Sequence, residues 1–99
     1  MQDVTIPSHL DIENAFNLIA KHINRTPVLT SRSVNTILGC NAYLKCENFQ
    51  RVGAFKFRGA THAILRLGSD EAHNGVITHS SGNHAAALAL AARQRGIPA

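Results

Sequence analysis

The sequence predicts an α/β protein, an open twisted parallel sheet covered by helices, on three observations. Segments of helical period alternate with short apolar or β-branched runs, the connections between them are short, and "IPA" at residues 97–99 begins a further strand. Strands alternating with helix-length crossovers lie parallel, and such a sheet needs helices on its faces. So narrow a parallel sheet has an uncovered edge and too little core, so the chain is expected to be a fragment of a larger enzyme.

Residues 11–23, "DIENAFNLIAKHI", carry Ile12, Ala15, Phe16, Ile19, Ala20 and Ile23 on one helical stripe, with Asp11 as the expected N-cap and Asn14 in the capping-box position. Pro27 disfavours helical geometry at Thr26, so "NRTP" breaks this helix. "VLT" is short and extended, and "SRSVNTILG" reads as a helix capped at Ser31 or Ser33 and closed by Gly39. "NAYLKCEN" is expected as a strand with Tyr43 and Lys45 opposite Leu44 and Cys46.

After the "QRVGAF" loop, "KFRGATHAILRLG" places Ala60, Ala63, Ile64 and Leu67 on one helical face and stops at Gly68. "SDEAHNG" reads as a polar connection and "VITHS" as a β-branched strand. "SGNHAAALALAARQRG" is a long helix with a basic last turn and Gly96 after it.

Composition narrows the function. The chain has 99 residues, 44% of them hydrophobic and 16% charged, which suits one small domain with a core and excludes disorder. No apolar run reaches the ~18 residues of a membrane helix. The Met1 end has no basic-then-apolar leader, so a cytoplasmic protein is expected. Cys40 and Cys46 are too few for a disulfide framework, and Cys46 reads as a small apolar residue. The net charge of +4 is scattered, and "RVGAFKF" departs from an RNA-recognition strand at Val52, Gly53 and Lys56, which argues against nucleic acid. Six histidines show no close ligand spacing, so no metal site is expected.

Chemistry is expected in two places. In "GAFKFRGA", residues 53–60, Lys56 sits at a helix start between Phe55 and Phe57, both of which are expected to exclude water from it. A helix N-terminus and partial burial both disfavour the ammonium form and expose a nucleophilic amine, a role that Arg58 cannot fill. The plainer reading is a lysine stem lying along apolar neighbours. In "THSSGNHAAALALAA", a strand passes through Ser80, Ser81, Gly82 and Asn83 directly into a helix. Free backbone N–H groups and the positive helix end make that turn a receptor for phosphate or carboxylate. Gly82 permits close approach and Asn83 can donate from its amide; an ordinary N-cap is the alternative. No nucleotide-binding loop and no G-x-S-x-G elbow is present.

Taken together, "KCENFQRVGAFKFRGA" and "THSSGNH" resemble the fold-type II pyridoxal-phosphate enzymes, most closely the serine racemase and threonine/serine dehydratase branch. "RTPVLTSRSVN" and "RQRGIPA" extend the likeness across the chain. The resemblance implies the Schiff-base lysine at Lys56, with Ala54 in place of the usual serine, and Phe55 near the pyridine ring. It also implies Asn83 on the cofactor's phenolic oxygen and a loop of Ser80, Ser81, Gly82, Asn83 and His84 around the substrate carboxylate. Ser81 stands where serine racemases carry the opposing proton donor, so Lys56 and Ser81 are the expected catalytic pair.

The implied activity is a serine or threonine ammonia-lyase, a serine racemase, or both, working as a homodimer. The chain would supply about the first third of the enzyme: residues 1–68 in the large cofactor domain and 69–99 opening a smaller one. The isolated fragment is expected to be inactive. Ser31, Arg32, Ser33 and Arg51 lie where an activating ATP would bind, although Arg32, Val52, Ala85 and Ala86 depart from that pattern; Mg2+ ligands would fall beyond Ala99. A non-catalytic anion-binding module and a β-replacement enzyme of the same fold are the alternatives.

Overall fold

The computed structural model describes residues 5–99, so the first four residues, read above for a leader, lie outside the described residues. Five helices and one short strand pair follow in the order α1 (His9–Ile19), β1 (Val28–Leu29), α2 (Arg32–Leu38), β2 (Leu44–Lys45), α3 (Lys56–Arg66), α4 (Ser69–His73) and α5 (Asn83–Arg95). Two 3₁₀ turns, Glu47–Phe49 and Arg51–Gly53, join β2 to α3.

Helix α1 begins before the expected cap. Ser8 is the N-cap, and Asp11 occupies the third helical position and completes the capping box. The backbone N–H of Ser8 donates to Asp11 Oδ2 at 2.7 Å, and the N–H of Asp11 donates to Ser8 Oγ at 3.2 Å. The signal was the S-x-x-D spacing at Ser8, and Asn14 plays no capping part. The helix also stops at Ile19, short of Ile23. Helix α2 follows its predicted limits, with Ser31 Oγ accepting from the Val34 N–H and Gly39 as the left-handed C-cap.

The strands depart most from expectation. Among the described residues the sheet is a single antiparallel pair, with Val28 opposite Lys45 and Leu29 opposite Leu44. Helix α2 has no buried residue, so it forms no covering layer that would carry the chain across for a parallel return. Residues 76–80 do not form a strand, and Ile77 is 96% exposed. One bond joins this stretch to the chain end: the Val76 N–H donates to the Pro98 carbonyl at 3.0 Å. Gly75, at φ 79°, makes that approach feasible, because a Cβ there would lie 2.7 Å from the Pro98 oxygen. The "SDEAHNG" connection contains the short helix α4, with Ala72 buried.

The core is helix against helix. Phe57, Ala60 and Ile64 of α3 meet Ala87, Ala91 and Ala92 of α5, and Ile23, Leu67, Val76, Leu88, Leu90 and Ile97 close its margins. Ala63, expected on this face, is exposed. Burying Phe57 alone contributes about 2–3 kcal/mol. Arg95 ties the ends of the two helices together, with its guanidinium donating to the Ile64 carbonyl and, at 2.7 Å, to that of Leu67.

Candidate active site

The candidate site is built on the starts of α3 and α5. Before α3, Val52 and Gly53 take left-handed geometry in succession, at φ 56° and 69°, and turn the chain into the helix. Phe55 is the N-cap residue and contributes no side-chain capping bond. Lys56, the first helical residue, is exposed, so the burial expected for it is not found. Its Nζ lies 5.4 Å from the centroid of the Phe55 ring, which is 62% exposed. Among the described residues no carboxylate pairs with this amine.

Phe57 does not shield the lysine, since its side chain is fully buried in the core. The helical spacing Phe57, Ala60, Thr61, Ile64 carried that signal, because all four are buried on one face.

The start of α5 has the opposite character. Gly82 is its N-cap residue, and neither Ser81 nor Asn83 caps the helix with its side chain. Ser80 Oγ instead accepts from the Gly82 N–H at 3.2 Å. The first helical bond runs from the Ala86 N–H to the Gly82 carbonyl at 3.2 Å. The N–H groups of Asn83, His84 and Ala85 donate to nothing among the described residues. Ser81, Gly82, Asn83 and His84 are exposed, and a side chain built on Gly82 would meet no atom within 4 Å. Unused donors on a positive helix end, beside a bare backbone, can take an anion.

Parallel packing brings these two starts to one end of the molecule. Arg95 joins the last turn of α5 to the last turn of α3, and the 3₁₀ turn before α3 packs on α5. Lys56 therefore stands at the same end as Ser81 and Asn83. The residues considered for a nucleotide lie at the start of α2 and in the 3₁₀ turn before α3. Ser31 caps α2, with Arg32 and Ser33 in its first turn. Arg51 donates to the His22 carbonyl at 3.3 Å and lies over the Phe57 ring, 5.9 Å from its centroid.

One part of the surroundings has no local sequence pattern. Glu47 receives the Arg58 guanidinium on both carboxylate oxygens, Nη2 to Oε2 at 3.1 Å, with Nε on Oε1. Thr26 Oγ1 also donates to Glu47 Oε2, at 2.6 Å, and Lys45 Nζ donates to the Thr26 carbonyl at 2.8 Å. The bonds from Arg58 draw the Glu47 carboxyl down from 4.5 to about 2, although burial pushes it up.

Residues 19–99 match the family described as "Pyridoxal-phosphate dependent enzyme". The chain belongs to that family. Similar proteins include a serine racemase of Arabidopsis thaliana, 58% identical over 91% of this chain and 27% of that protein. An L-threo-3-hydroxyaspartate ammonia-lyase of Saccharomyces cerevisiae is 52% identical over 95% of this chain and 29% of its own length. The crystal structure of serine racemase from Dictyostelium discoideum superposes with a TM-score of 0.84 at 48% identity, covering 89% of this chain and 29% of that one. The chain thus spans less than a third of the length of these relatives. The fold-type II architecture of that family follows for this chain, as the sequence predicted. Its donor set fits the cofactor: an unpaired primary amine, an exposed aromatic ring beside it, and unused N–H groups on the facing helix start. Among the described residues no helix is long and apolar enough to cross a membrane.

Proposed function

We propose that the full-length protein containing this chain is a pyridoxal-phosphate-dependent ammonia-lyase and racemase acting on serine or threonine. The observation that carries this reading is the common end shared by an exposed, carboxylate-free Lys56 amine and the unused N–H groups of the α5 start. Lys56 would anchor the cofactor covalently, with Phe55 and Asn83 also holding it. When bound, pyridoxal phosphate supplies the electron sink for charge developing at the substrate Cα.

This chain's own residues supply binding and proton transfer. Backbone N–H groups of the loop Ser80, Ser81, Gly82, Asn83 and His84 hold the substrate carboxylate. The Lys56 amine, released when the substrate's amino group takes its place, would then take the Cα proton. The β-hydroxyl then leaves as water, and hydrolysis of the product by a second water gives a keto acid and ammonia. A proton delivered from the Ser81 hydroxyl yields the opposite enantiomer instead. Residues 1–68 belong on this reading to a large cofactor-binding domain, and residues 69–99 begin a smaller one. The full-length protein works as a homodimer in the cytoplasm, and turnover is assigned to it rather than to the isolated 99 residues.

The test is to load the full-length protein with pyridoxal phosphate, reduce it with borohydride and map the modified residue. The label is expected on Lys56, and L-serine is expected to yield both keto acid and D-serine. Ser81→Ala should lose racemisation while retaining elimination. Absence of a label on Lys56, or undiminished turnover in Lys56→Arg, overturns the proposal.

A further inference from the structure

We propose that Glu47 is a positioning residue: by holding Arg58 it sets the direction in which the first turn of α3 presents the Lys56 amine. The proposal rests on the reading of Lys56 given above.

The start of α3 lacks the usual fastenings. No side chain caps it, and no acidic residue stands in its first turn to complement the helix end. Two other attachments hold it, on consecutive residues. Phe57 is fully buried against α5, and Arg58 is forked onto Glu47. Successive helical side chains point roughly 100° apart. Fixing residues 57 and 58 in two directions leaves the turn no freedom to rotate, so the direction of residue 56 is fixed as well. Phe57 alone is a non-directional contact, whereas the two parallel N–H···O bonds of a guanidinium on a carboxylate define an orientation.

The other end of this clamp is anchored too. Glu47 lies in the 3₁₀ turn after β2 and takes a further bond from buried Thr26, whose carbonyl in turn accepts from Lys45 of β2. The strand pair is thereby connected to the lysine-bearing helix through one carboxylate. Glu47 touches no reacting atom on this account. It acts through Arg58, and its loss costs rate by misaiming the amine while leaving substrate binding at the α5 start in place.

The test uses the full-length protein loaded with pyridoxal phosphate, and Glu47→Gln, Glu47→Asp and Arg58→Lys. Glu47→Gln is expected to lower kcat by about ten- to a hundredfold with KM within about twofold. Glu47→Asp should recover part of that loss, and Arg58→Lys, which abolishes the fork, should reproduce it even if Glu47→Gln fails to fold. A readout independent of turnover is trace acetylation of the cofactor-free protein with acetic anhydride, measuring Lys56 against exposed Lys21. The Lys56 to Lys21 ratio should change in Glu47→Gln and Arg58→Lys and move back toward the parent value in Glu47→Asp. If borohydride places the label on Lys56 while these variants retain parental kcat and acetylation ratio, the positioning role alone is overturned. If the parent carries no label on Lys56, the reading of that lysine fails and this proposal falls with it.

Discussion

Gln50 and Asn24, 26 residues apart, hold each other as two strands of a sheet would. The Asn24 N–H donates to Gln50 Oε1 and Gln50 Nε2 donates to the Asn24 carbonyl, both at 2.9 Å. The same Oε1 accepts from the Arg51 N–H at 3.0 Å, so the carboxamide joins the segment after α1 to the turn that leads into α3.

Gln50 is only 3% exposed, and truncating it strands three backbone groups. Gln50→Ala in the full-length protein should lose about 2–4 kcal/mol of stability, read from urea unfolding. A loss below about 0.5 kcal/mol would show that the amide clamp is dispensable.

Glu47 predicts an acid limb. Its carboxyl is held at about 2 against an ordinary 4.5, so its contribution is complete above the ordinary value and is lost as pH falls toward the lowered one. The melting temperature of the full-length protein should therefore fall between about pH 4.5 and pH 2. Glu47→Gln should be less stable than the parent at neutral pH and converge on it at the acid end. Parallel Tm curves for the two proteins across that range would refute this linkage.

Val52 is a β-branched residue at φ 56°, a conformation that costs a residue of its kind about 1–2 kcal/mol. Val52→Asn and Val52→Gly should accordingly raise stability by up to about 1 kcal/mol, with glycine offset by its larger unfolded-state entropy. Thermal unfolding of both variants would decide the matter, and a lowered Tm in both would rule the strain out.

Arg95 caps the end of α3 from the neighbouring helix. Replacing it by methionine keeps the stem and removes the donors, leaving the Ile64 and Leu67 carbonyls without them. We expect a loss of about 1–3 kcal/mol and faster amide exchange in the last turn of α3, measured by hydrogen exchange. Unchanged exchange at residues 64–67 would argue against the cap.

Much of this was legible from local chemistry. The Ser31 cap, the Gly39 and Gly96 stops, and the limits of α3 and α5 rest on interactions within a few residues. The strand expected at 76–80 is not found, because a β-branched run needs a partner, and only Pro98 supplies a bond to Val76 among the described residues. Within the site, "GAFKFRGA" pointed to the amine but gave both flanking phenylalanines one role. Period-3.6 spacing separates them, with Phe57 inward and Phe55 outward. The Glu47–Arg58 pair was invisible locally, since only the turns between β2 and α3 bring the two together.

The alanine face of α5 has a reach beyond its own packing. Ala87, Ala91 and Ala92 leave α3 resting almost on backbone, so their methyl groups act as the spacer that gauges the gap between the two helices. A valine at any of them would work as a shim and carry the serine-rich turn away from the lysine. Tolerance to change at these small, hidden positions is thereby tied to chemistry that none of them touches.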